Sequence, residues 1–121
     1  MKKAPVVRYR SETDTTPCPY GTVQRIVTGS EGGIANVHVV SVTHGAPHLH
    51  QGYDEVYYVL SGTGAIRIGE ENHLLKTGTV VTIPAGIPHS LSSDTDTPLE
   101  FIIFGTPPMT MDDPRATPIK P

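Results

Sequence analysis

Two of the six histidines, His48 and His50, stand two residues apart. On an extended chain, positions i and i+2 face the same way, so both imidazoles can converge on one point. Glu55 follows five residues after His50, at the head of an apolar run, residues 55–60. An unpaired carboxylate buried there would be costly, and a bound cation would relieve that cost. His89 lies far off in sequence, just past Pro84-Ala85-Gly86-Ile87-Pro88. Three imidazoles and one carboxylate suit a borderline divalent ion: manganese, iron, nickel, zinc or copper. On a six-coordinate ion such a set leaves two positions free for substrate, water or dioxygen; on tetrahedral zinc it closes the site. By residue type alone a blander reading stands beside this one. His48 and His50 could be surface imidazoles on a loop, Glu55 an exposed carboxylate, and His89 a polar residue opening a strand.

The remaining candidates are weaker. His38 lies within a valine-rich run and is as readily a satisfied sheet residue as a pocket wall. His44 precedes Gly45 and reads as a loop residue, and His73 follows Glu70-Glu71-Asn72 on a solvated turn. Cys18, between two prolines, has nothing near it in sequence that marks a reactive thiol.

Strands must position these groups. Apolar, β-branched runs at residues 22–27, 34–43, 55–60, 65–68, 73–76, 79–83, 89–92 and 99–104 are separated by Gly, Pro and Asn. About eight short strands at roughly ten-residue spacing is an all-β sandwich or barrel pattern. No stretch holds a helical period without an interrupting Pro or Gly. Residues 1–20 read as an N-terminal arm, 21–105 as the barrel and 106–121 as a proline-rich C-terminal tail. If Glu55 faces inward, Tyr57 and Val59 line the same cavity by period two, as Leu91 follows His89. Ile66, Ile68, Phe101 and Ile103 are further inward candidates, giving a mostly apolar pocket with one tyrosine hydroxyl. Residues 55–60 are apolar on both alternating faces, so the outer face also needs cover. A second subunit is the simplest cover and predicts a homodimer; the arm is the alternative.

The site segments resemble the cupin superfamily. Its first motif has His-x-His, three or four residues, Glu, six residues, Gly; here it reads His48-Leu49-His50, four residues, Glu55, six residues, Gly62. Its second has Gly, five residues, Pro-x-Gly, two residues, His; here it reads Gly78, five residues, Pro84-Ala85-Gly86, two residues, His89. Fifteen residues separate Gly62 from Gly78, as in small microbial cupins. Val42 stands where the first motif usually opens with Gly, and Ser93 where the second often ends in Asn, yet neither removes a ligand. The resemblance implies a double-stranded β-helix, that is, a jelly-roll barrel. It also implies one divalent metal inside the barrel on His48, His50, Glu55 and His89. Cupins with this ligand set include dioxygenases, decarboxylases, oxidases and sugar isomerases. The reading taken forward is a metal-dependent dioxygenase acting on a small enol or diketone-like compound. Glu55 would be ligand and base, and Tyr57 would orient substrate. A non-catalytic small-ligand-binding cupin, a cupin isomerase or decarboxylase, and a metal that only stabilises the barrel are the alternatives.

Composition narrows the partners. With 9 Lys and Arg against 12 Asp and Glu, the net charge is −3, and the basic residues are scattered. No basic stripe tracks a phosphate backbone, so nucleic acid is not an expected partner. No apolar run approaches the roughly 20 residues that span a bilayer. The basic N-terminal residues lack an apolar stretch of the signal-peptide kind, and Cys18 is the sole cysteine. Both features suit a cytoplasmic setting.

Overall fold

The computed structural model describes residues 3–18, 21–44, 48–50, 52–108 and 116–118; for 48–50 and 116–118 it describes the backbone. Eleven strands occur among the described residues: β1 (Thr16–Cys18), β2 (Gly21–Val27), β3 (Asn36–Val42), β4 (His48–His50), β5 (Asp54–Ser61), β6 (Gly64–Ile68), β7 (Glu71–Leu75), β8 (Val80–Ile83), β9 (His89–Ser93), β10 (Leu99–Thr106) and β11 (Ala116–Pro118). They form two antiparallel sheets, ordered β1-β2-β3-β10-β5-β8 and β11-β4-β9-β6-β7. This is the all-β pattern that the strand spacing predicts and the jelly-roll architecture that the resemblance implies.

Alternation explains how the sheets close on each other. Along β5, Glu55, Tyr57 and Val59 are buried, while Asp54, Val56 and Tyr58 face outward. The core joins Val23, Val40, Val42, Tyr57, Val59, Val81, Ile83, Leu99 and Phe101 of the first sheet to Ile66 and Leu75 of the second. Ile68, Leu91 and Ile103 pack against it half-buried. The two sheets therefore face each other across the side chains expected to line a cavity, and Arg67 stays outside.

Some bounds differ from the sequence reading, for identifiable reasons. The third strand starts at Asn36, not residue 34, because a 3-10 turn over Gly29–Glu31 and the glycines after it carry the chain past an exposed Ile34. The strand expected over 73–76 begins earlier, because Ile68 pairs with Glu71 across a two-residue hairpin. Gly45 and Pro47, expected to end the third strand, lie outside the described residues.

The chain ends also contribute. In the arm, β1 pairs with β2, and the Arg10 guanidinium donates two bonds to the Glu100 carboxylate at 3.2 and 3.0 Å. Gln24 Nε2 donates to the Arg10 and Thr13 carbonyls, each at 3.1 Å. The arm thus lies over β2 and the Glu100 end of β10. The outer face of β5 is left open, with Val56, Tyr58, Val80 and Phe104 exposed. In the tail, β11 pairs with β4. Among the described residues no helix is long and apolar enough to cross a membrane.

Candidate metal centre

The site is assembled where the two sheets face each other. Strand β5 brings Glu55 and Tyr57 inward from the first sheet by its period of two. Strand β9 of the second sheet opens with His89. Residues 84–87 aim it: the Ile87 amide donates to the Pro84 carbonyl at 3.3 Å, closing a turn. Gly86 stands at the third position of that turn with φ +84, a conformation that glycine adopts freely. The turn is fixed at two points. Ala85 N–H donates to Asp54 Oδ1 at 2.8 Å, and Gly69 N–H donates to the Pro88 carbonyl at 2.9 Å. Cross-strand pairing with Ile68 then sets His89 in register.

Glu55, Tyr57 and His89 meet in the interior, only 5%, 4% and 2% exposed. The Tyr57 hydroxyl lies 3.2 Å from Glu55 Oε1 and 3.1 Å from His89 Nε2. Glu55 Oε1 and His89 Nε2 are 3.5 Å apart. His89 Nδ1 is 3.0 Å from the Ile87 carbonyl oxygen. A carbonyl can only accept, so Nδ1 carries the hydrogen. In the neutral imidazole this leaves the Nε2 lone pair turned to Tyr57 and Glu55, the tautomer a metal-binding histidine needs. The surroundings are apolar. Tyr57 stacks at a tilt on Phe101 with ring centroids 5.0 Å apart, and Ile83 lies opposite Glu55 on β8.

Of the four ligands expected from the motifs, Glu55 and His89 are brought together. The side chains of His48 and His50 lie outside the described residues, but their backbone forms β4, and β4 pairs with β9 so that His48 stands directly opposite His89. Among the described residues no group of three or more His, Cys, Asp or Glu could hold a metal. His38 is buried in β3, between Arg25 of β2 and Ile103 of β10. His44 is exposed and bridges Ser92. His73 is exposed, 3.2 Å from the Glu71 carboxylate. Cys18 packs half-buried against the core.

Two contributors were not singled out from the sequence. Asp54 acts through a residue 31 positions away, and no local signal marks that pair. The Ile87 carbonyl belongs to the backbone, which a reading of side-chain types passes over.

The family model described as "Cupin domain" matches residues 37–105. An uncharacterized protein of Methanocaldococcus jannaschii is 30% identical over 66 residues, 54% of this chain and 53% of that one. The chain spans about half the length of the curated relatives it matches. Among solved structures, a protein from Planctomyces limnophilus superposes with a TM-score of 0.80 at 25% identity, over 91% of this chain and 95% of that one. Pac13, a Streptomyces nucleoside dehydratase, superposes with a TM-score of 0.77 at 16% identity, over 97% and 92%. Likeness at that identity speaks to the fold alone.

Proposed function

Because the chain belongs to the cupin domain family, we propose that it holds one divalent metal ion on His48, His50, Glu55 and His89 and works on a small organic compound beside it. The observation that carries this reading is the 3.5 Å approach of Glu55 Oε1 to His89 Nε2 inside the barrel. A carboxylate and an imidazole lone pair meeting in an apolar interior are a donor pair that suits a cation. The register of His48 against His89 supports adding the His-x-His pair to the same centre. The donor set fits manganese, iron, nickel, copper or zinc.

When bound, such a metal supplies a Lewis acid with exchangeable positions that stabilises negative charge developing on a substrate oxygen. The chain's own residues do the rest. Asp54 and the turn over residues 84–87 hold His89 in place. The Ile87 carbonyl fixes the imidazole tautomer. Glu55 is ligand and candidate base, able to take a proton from a carbon acid beside it. The Tyr57 hydroxyl, beside Glu55 and His89, is the group that would orient a substrate oxygen. Phe101, Ile83 and Ile66 keep water away, which strengthens each polar contact. Apolar walls with a single hydroxyl suit a small enol or diketone better than a charged sugar phosphate. The reaction class proposed is an oxygen-using, dioxygenase-type oxidation.

Dioxygen uptake tests it: metal-loaded protein is offered a panel of small 1,3-diketones and enols. Uptake is expected, and its loss in His89→Ala. No uptake with any member, for any of the metals, would set the dioxygenase class aside.

The assembly proposed is a homodimer through the outer face of β5, β10 and β8. Val56 pairs with Phe104, and Tyr58 pairs with Val80, so four exposed apolar side chains adjoin. The described part of the arm docks elsewhere, which favours a second copy as the cover.

A further inference from the structure

We infer that the N-terminal arm of each copy covers the open half of its partner's first sheet, with Val7 and Tyr9 making the contact. The inference rests on the proposed homodimer and gives it an axis. Polar bonds hold the arm to its own sheet. Ala4 N–H donates to the Gly32 carbonyl at 3.1 Å. Arg10 donates to Gln24 Oε1 on β2 at 2.9 Å and to both Glu100 oxygens on β10. This anchoring leaves two apolar side chains of the arm outside: Val7 is 78% exposed and Tyr9 61%.

Strand register sets these side chains level with the open patch. One cross-strand row runs from Gln24 through Val39 and Ile102 to Tyr58 and Val80. The next runs from Val27 through Val37 and Phe104 to Val56. The arm occupies the β2 end of both. Arg10 is bonded to Gln24 in the first row, and Val6 lines a groove with Val27 and Val37 of the second. Val7 and Tyr9 lie between these two anchors. Val40 and Val42 belong to the core, so period two turns Val39 outward, yet it is 5% exposed where Arg10 reaches from β2 to β10. At the far end of the same rows Tyr58, Val80, Phe104 and Val56 stay open.

A twofold axis parallel to the strands, between the covered and open halves, turns each arm over the other copy's open half at the same level. Both contacts form at once, as an isologous interface requires. Tyr9, Tyr58 and Phe104 are 61%, 42% and 40% exposed. Aromatic side chains bury about 150–250 Å² each, so with three valines they supply several hundred Å² per copy, the order of the roughly 800 Å² that a stable interface buries on each side.

The test takes two charge variants of the full chain, Val7→Glu with Tyr9→Glu and Val56→Lys with Tyr58→Lys. Sedimentation equilibrium reads association of each alone and of the two mixed, and circular dichroism checks that each is folded. Wild type is expected to dimerise, and each variant alone to associate about tenfold or more weakly. The equimolar mixture should regain dimer, because an acidic arm then meets a lysine-bearing face while the other arm and face stay native. An arm variant that dimerises like wild type, or a mixture no better than its parts, would overturn the arm contact and leave the homodimer standing. A monomeric wild type would overturn both. Should the arm variant fail to fold, Tyr9→Ser is read in its place, and undiminished dimerisation overturns the contact.

Discussion

The Asp54 carboxylate accepts a hydrogen bond from the Ala85 amide at 2.8 Å, tying the turn that aims His89 to the strand that carries Glu55 and Tyr57. One contact thus couples the two halves of the candidate centre, which come from opposite sheets. Asp54→Ala should lower stability modestly, by about 1 kcal/mol, since a single exposed hydrogen bond is lost. Metal affinity should fall more than stability does, because His89 loses its fixed approach. Thermal melting of the metal-free protein and a metal titration separate the two effects. Asp54→Asn retains an acceptor and should restore part of the loss.

Gly64 tests how closely the second sheet is packed. A Cβ there would run into the Ser92 carbonyl oxygen and come within 2.8 Å of Leu99 Cδ1. The strand cannot move without disturbing its pairing to β9. Gly64→Ala should therefore cost about 1–3 kcal/mol, the usual range for overpacking, read as a lowered midpoint in denaturant.

Acid should weaken the capping box at Thr28. The Glu31 side chain accepts from the Thr28 amide at 3.0 Å and its hydroxyl at 2.6 Å. Partial burial works to raise the Glu31 carboxyl, but hydrogen bonds from Thr28 and the nearby Arg8 outweigh it and hold it below the ordinary carboxylate range. A group held down in the folded state stabilises above its unfolded titration and loses that contribution as pH falls through the folded one. Glu31→Gln should thus be less stable than wild type at pH 7, by up to about 1 kcal/mol. The gap should close as pH drops below about 4. Paired melts across pH check this.

The apolar outer face gives an assembly prediction. Tyr58→Lys with Val56→Lys puts two charges among exposed apolar neighbours and leaves the buried face of β5 untouched. Light scattering should report a dimer for wild type and a monomer for the variant. A monomeric wild type at working concentrations would contradict the homodimer.

The long strands and the inward residues were legible because alternation and turn residues carry them. Tyr57, Val59, Ile66 and Phe101 fall in the core by simple period-two reasoning. The three-residue strands β1 and β11 were not, since Thr16–Cys18 and Ala116–Pro118 are too short for a period and each contains proline. Only pairing to β2 and β4 defines them. At the site, residue type and motif spacing named Glu55 and His89, and period two put the Tyr57 hydroxyl in the same cavity, but neither showed its contacts with both. That arrangement depends on a 32-residue separation closing across two sheets.

The most direct test of the metal centre is elemental analysis of metal per chain, on wild type and on the His48→Ala, His89→Ala double variant, after reconstitution with each candidate ion. About one divalent ion per chain in wild type and none in the folded variant is the expected result. Equal metal in both proteins, or none in wild type with any of the five metals, would contradict a centre built on these residues.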